Sequence, residues 1–251
     1  IFEKGNSLKQ LTLRISTDVL NGLNVATIDH VFGETTTDNN SFSFTGNLQD
    51  TEYVILFISG ALSQNSSIIK DILSDFENTN IHHSFRLEHA RWNSQPLDMQ
   101  YDNLKMIVLD DFPIDNKDEQ LFNEIVKLSL DQQIPILYFQ GPWGNMTSGE
   151  MIRSNFPDFV PKVEDINKLM DISRKSTWIT SNVNLNKFPP QKRSIKWITS
   201  INPWLEYVDE SLLIGSINNF YLISLPALSI NNFLNSENSQ SIITQLLNKV
   251  F

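Results

Sequence analysis

Hydrophobic spacing changes along this chain, and the change falls near Asp50. Before Asp50 apolar residues recur with period two: Leu11, Leu13 and Ile15 alternate with Thr12 and Arg14, a second run covers Asn24 to His30, and Phe42 and Phe44 share one face of a third. The spacing predicts three short strands joined by polar turns at Asn21-Gly22 and Thr37-Asp38-Asn39-Asn40. A β sandwich usually takes about 100 residues. Residues 1–50 therefore read as the end of a β module, or as strands that lean on the remainder of the chain.

After Asp50 continuous apolar runs alternate with helical spacing. Tyr53 to Ser59 (YVILFIS) reads as a buried strand, and Ile68, Ile69, Ile72, Leu73 and Phe76 mark a helix face. Ser84 to His89 carries Phe85 and Leu87, and Leu104 to Leu109 (LKMIVL) is a second buried run. Asp118 to Gln132 predicts a helix with Leu121, Phe122, Ile125 and Leu128 inward and acidic residues in its first turn, where the helix dipole favours them. Ile134 to Phe139 closes the series. Strand, helix, strand, strand, helix, strand requires crossovers, so residues 51–251 are expected to form an α/β domain. The expected arrangement is a three-layer, mainly parallel sheet with helices on both faces, preceded by the small β segment.

The last hundred residues continue this domain with weaker signals. Ser194 to Thr199 reads as extended, and Leu212 to Ser216 with Phe220 to Leu225 predicts a hairpin around Asn218-Asn219. Ser239 to Phe251 has the spacing of a closing amphipathic helix.

Composition narrows the function classes. At 251 residues and 40% hydrophobic content the chain can bury a substantial core. A formal net charge of -10 argues against a nucleic-acid partner, whose phosphates need clustered cations. The one basic cluster, Lys192, Arg193 and Lys196, reads as a solvated edge. No apolar run approaches the roughly 20 residues that cross a bilayer. The chain opens at Ile1 in a strand-like stretch, which suggests a segment of a longer polypeptide with any anchor lying outside it. The absence of cysteine rules out disulfides and thiolate chemistry and is neutral about compartment.

Candidate chemistry centres on the run IPILYFQGPWG from Ile134 to Gly144. Many α/β enzymes seat a nucleophile at the sharp turn after such a strand. Here that turn offers Gln140, Gly141 and Pro142, none of which can attack a carbonyl. Asp110-Asp111 closes the preceding buried run, where open α/β sheets place their ligands, although a turn or capping role before Pro113 is the plainer reading. Trp143 sits on the same glycine-bounded turn, either as a plug over the core, the favoured reading, or as an exposed contact. His82, His83 and His89 do not predict a metal site, because adjacent strand residues point to opposite faces. Ser59 and Ser148 have no base in sequence context, and Gly141-Pro142-Trp143-Gly144 lacks the spacing and lysine of a phosphate loop.

The element order from Tyr53 to Gly144, with its empty elbow, resembles the class I glutamine amidotransferase-like fold, a flavodoxin-like architecture. The junction Asp38-Asn39-Asn40-Ser41-Phe42-Ser43-Phe44, leading into Tyr53 to Ser59, is similar to the end of an immunoglobulin-like module in large bacterial membrane proteins. Those proteins are related to the BatA aerotolerance family, and many carry a von Willebrand factor A-like domain upstream. The resemblance implies an amidotransferase-like domain without its catalytic residues. Active members need a cysteine at the elbow and a later His-Glu pair, whereas all four histidines here, His30, His82, His83 and His89, precede the elbow.

The resulting expectation is a non-catalytic interaction or assembly module in the extracytoplasmic part of a membrane-anchored bacterial protein. It would engage a protein partner, take no cofactor or metal, and meet the membrane only through segments outside this chain. Asp110, Asp111, Gln140 and Trp143 are its candidate binding residues. Two alternatives stand beside it: an enzyme using Asp110 and Asp111, and a ligand- or glycan-binding domain using Trp92 and Trp143 as stacking platforms.

Overall fold

The computed structural model describes residues 23–27, 29, 40–45, 53–76, 78–88, 91–98, 101, 103–165, 169–173, 191–200, 203–224 and 246. The expected strand at Leu11 to Ile15 lies outside these residues, as does the closing helix at Ser239 to Phe251 apart from buried Leu246. Chain contacts divide the molecule into Ile1–Thr51 and Glu52–Phe251. In the first unit, β1 (Leu23–Thr27) pairs antiparallel with β2 (Ser41–Thr45), setting Asn24 opposite Phe44 and Ala26 opposite Phe42.

The second unit is a mixed α/β structure built on one large sheet. Its centre is parallel: β3 (Tyr53–Ser59) lies between β4 (Thr79–Glu88) and β6 (Leu104–Asp110), followed by β7 (Ile136–Phe139) and β14 (Phe220–Ile223). Both flanks are antiparallel. The short β5 (Arg91–Trp92) pairs with the end of β4. Beyond β14 run β13 (Leu212–Ile217), β11 (Ile195–Thr199) and β8 (Phe159–Val163), with β12 (Leu205–Glu206) also paired to β13. The sheet is thus parallel through its centre, as expected, and mixed over its full width. The reason is the β13–β14 hairpin: Asn218 adopts φ 51° in its turn, and a tight turn can only return the chain antiparallel. A separate two-residue pair joins β9 (Leu169–Met170) to β10 (Gln191–Lys192).

Alternation along the buried strands sorts the core into two clusters. Ile55 and Phe57 of β3 group with Ile69, Ile72 and Leu73 of α1 (Gln64–Ser74). Leu56 and Ile58 group instead with Phe122, Ile125 and Val126 of α2 (Glu119–Gln132) and with Met151 and Ile152 of α3 (Met146–Asn155). Two of these helices, α1 and α3, begin where side chains hold their free N–H groups. Ser63 and Ser66 make a reciprocal capping box for α1, and Asn145 and Ser148 do so for α3.

The basic cluster is not a solvated edge. Arg193 is 1% exposed, its guanidinium donating to Glu164 at 3.0 Å, to Asp209 at 2.8 Å and to the Ser211 hydroxyl at 2.6 Å while stacking over Tyr207. Lys192 is exposed, and Lys196 sits 3.8 Å from Asp209. A buried cation persists only when counter-charges and acceptors surround it, and they are supplied here from residues far away in sequence.

Candidate functional site

The carboxyl ends of β3, β6 and β7 meet at one edge of the sheet. Their loops lock together through backbone hydrogen bonds, Gly60 N to Asp110 O at 3.0 Å and Asp111 N to Phe139 O at 3.0 Å. The four candidate binding residues, Asp110, Asp111, Gln140 and Trp143, all lie in these strand ends and loops, with Gly60 beside them. Their environments separate them into two groups.

Asp111 is the keystone of the edge. It takes a left-handed backbone conformation, φ 50°, and lies between two glycines. A Cβ on Gly60 would fall 2.1 Å from the Asp111 carbonyl oxygen, and one on Gly141 would fall 2.4 Å from the Asp111 side chain. Both positions therefore exclude any larger residue. The Asp111 carboxyl accepts the Trp143 backbone N–H at 2.9 Å, fixing the turn after β7. Burial pushes this carboxyl up to about 6, although the N–H groups of Trp143, Gly144 and Gly141 pull it down. Asp111 does serve a turn, but it is the distant one after β7 rather than its own.

Gln140 is wholly enclosed. Its side-chain oxygen accepts from the Trp197 indole at 2.7 Å and from Ser224 Oγ at 2.9 Å, and its amide nitrogen donates to Ile195 O at 3.3 Å. Gln140 thus cross-links the end of β7 to the antiparallel flank.

Asp110 is also fully buried, accepting from Ser66 Oγ of α1 at 2.5 Å. Burial raises its carboxyl to about 7, the Ser66 hydrogen bond opposes the rise, and the neighbouring Asp111 adds to it. Ser59, for which the sequence showed no base, has one: its Oγ lies 2.9 Å from His83 Nε2. The partners are 24 residues apart in sequence and meet because β3 and β4 pair with Phe57 opposite His83. The His83 ring stacks on Phe57 at 4.2 Å, and burial with nearby Lys70 and His82 lowers its pKa to about 4. Ser59 is wholly inaccessible, so this pair acts as an interior hydrogen bond. Ser148 belongs to the α3 capping box.

Trp143 is 63% exposed, which overturns the expectation of a plug over the core. It lines a groove of about 620 Å³ with Gly60 to Leu62 after β3, Arg86 to Glu88 ending β4, Ile114 and Asp115 after β6, and Asn145. Leu62 and Leu87 are 53% and 47% exposed, so three large apolar side chains from three separate segments line one groove. Asn145 stabilises the wall by donating to Ile114 O at 3.0 Å while its side chain caps α3.

Arg86 forms the groove's inner end. Its side chain is 8% exposed, paired with Asp118, and stacked over Trp92 and Phe112 at 5.1 and 5.9 Å. Asp118 is held by the backbone N–H groups of Ile114 and Asp115. Asp118 thus neutralises Arg86 in addition to opening α2, and the Trp92 face is covered by the guanidinium. Neither Glu88 nor Asp115 is ion-paired with a described residue, and among these residues no group of His, Asp and Glu side chains is arranged to hold a metal.

The sequence pointed to Trp143 but not to Leu62, Leu87, Glu88 or Asp115. Nothing local marks those positions, because the groove exists only once four segments converge. No protein-family model matches the chain, and no curated protein does so either.

Proposed function

We propose that this chain is a non-catalytic interaction module whose contact surface is the Trp143 groove. In this reading the second unit is a three-layer, amidotransferase-like domain, and the clustering of α1 with one set of strand residues and of α2 and α3 with the other supports that layering. The module belongs to the extracytoplasmic part of a larger membrane-anchored bacterial protein, as the sequence resemblance implies. The observation that carries the proposal is the division of labour at the elbow. Gln140 and Gly141 are taken up by the core, while Trp143, two residues beyond Gly141, stands open to solvent. Exposing a tryptophan on a turn fixed by a buried aspartate sacrifices hydrophobic burial, and a binding partner supplies the compensation.

The hydrolase reading rests on the Ser59–His83 contact, and burial of Ser59 weighs against it, since a nucleophile must reach substrate. Asp110 and Asp111 are equally enclosed, which disfavours acid–base work on an external substrate. The glycan reading loses one of its two platforms, because Arg86 covers Trp92.

The purified chain is expected to release no ammonia from glutamine and to hydrolyse no activated ester faster than a heat-killed control. Turnover abolished by Ser59→Ala or Asp110→Asn would replace this reading with an enzymatic one.

A further inference from the structure

The groove's lining contains more than apolar surface. Glu88 is exposed and Asp115 half-buried, and both line it together with Leu62, Leu87, Ile114 and Trp143. Among the described residues that line the groove the one cation is Arg86, which is paired with Asp118, and Arg91, opposite Glu88 across the β4–β5 pair, forms no ion pair with that carboxylate. Two carboxylates that form no ion pair with a described residue, beside an open indole, make a surface that attracts positive charge, because the indole face carries negative potential and the carboxylates add to it. The chain as a whole carries a net charge of -10, which steers the same kind of partner toward it.

We propose that the groove binds a partner polypeptide through an arginine or lysine flanked by apolar side chains, the cation lying over Trp143 between Glu88 and Asp115. The flanking apolar residues pack on Leu62 and Leu87. This identification rests on the interaction-module reading and specifies its partner. Size favours a peptide segment over a lone small cation: about 620 Å³ lies within the range that encloses a drug-sized ligand, and the exposed apolar residues come from three segments. Arginine suits the site especially, because its planar guanidinium can stack on an indole while donating to carboxylates at its edge.

The test uses the full 251-residue chain and three fluorescein-labelled probes followed by anisotropy: an octapeptide alternating arginine and leucine, its glutamate–leucine counterpart, and a cello-oligosaccharide. The arginine peptide is expected to bind saturably. Its affinity should fall at least about tenfold for Glu88→Gln combined with Asp115→Asn, for Trp143→Ala, and on raising salt from about 0.05 to 0.5 M. Asparagine can still cap the turn at position 115, so the double variant should melt like wild type. Equal binding of the acidic peptide, preference for the oligosaccharide, salt-independent affinity, or no saturable binding of the arginine peptide would each overturn the assignment. These failures are distinct from failure of the module reading, which shows itself as turnover or as the absence of any partner at Trp143.

Discussion

Replacing Gln140 with alanine is expected to destabilise the second unit by about 3–5 kcal/mol, whereas Trp143→Ala, on the same turn, should change stability by no more than about 0.5 kcal/mol. The difference arises from what each side chain touches. Removing the Gln140 amide strands two buried donors, the Trp197 indole N–H and the Ser224 hydroxyl, and leaves Ile195 O without this donor. Each buried donor left unsatisfied costs about 1–3 kcal/mol. Gln140→Met preserves most of the volume and should lose nearly as much, which separates the hydrogen bonds from the cavity. Trp143 is 63% exposed, and its link to Asp111 is through the backbone N–H, which alanine retains. Urea unfolding of the three variants decides the matter. A tolerant Gln140 with a costly Trp143 would reverse their roles and return Trp143 to the core.

A second large effect concerns pH. The Asp110 carboxyl is held at about 7 in the folded protein, against 3.8 as its ordinary value. Between these values the folded state binds a proton more tightly than the unfolded chain does, so its contribution to stability is fully present below about pH 4 and is lost as pH rises through about 7. Asp110→Asn removes the titration while keeping an oxygen to accept from Ser66. Relative to wild type, the variant should therefore gain about 2–4 kcal/mol between about pH 4 and pH 8, the order that a shift of this size implies. Asp111, pushed up to about 6 by burial, titrates over the same range beside Asp110, so the difference between the two proteins reports Asp110 together with its coupling to Asp111. Parallel stability–pH curves for the two proteins would mean that Asp110 is solvated and that this edge of the sheet is open rather than enclosed.

Much of the sheet was legible because burial on both faces leaves a mark on sequence. Tyr53 to Ser59 and the Asn218-Asn219 hairpin stand where their patterns placed them, and β6 and α2 lie within a residue of the expected bounds. Elements whose stability comes from contacts rather than propensity were not legible. β4 begins at Thr79, well before the expected Ser84, because its first half is polar and finds its order by pairing with β3. α3, with the sequence MTSGEMIRSN, contains weak helix formers, and Gly149 is there because a Cβ would come within 2.7 Å of Pro161 on β8. Pro161 would disfavour a central strand, yet β8 lies at the sheet's edge, where a missing N–H is tolerated.

The site divides along the same line. Asp110, Asp111, Gln140 and Trp143 could be gathered from the rule that ligands sit at the carboxyl ends of parallel strands. Which of them face inward could not, since Gln140 is enclosed by residues 55 to 84 positions away. Burial of Arg193 and the meeting of Ser59 with His83 were hidden for the same reason.

We place the partner of the proposed module in the Trp143 groove and not at the closed elbow beside it. The most direct test is a photo-crosslinking amino acid at position 62, in the groove lining, of the full-length protein in cells that make it, with Trp143 left in place and exposed Lys127 on α2 as the control position. A covalent adduct to a discrete partner at 62 that is absent at 127, and lost when Trp143→Ala is added, is the expected result. No adduct at 62, or the same adducts from both positions, would contradict this assignment.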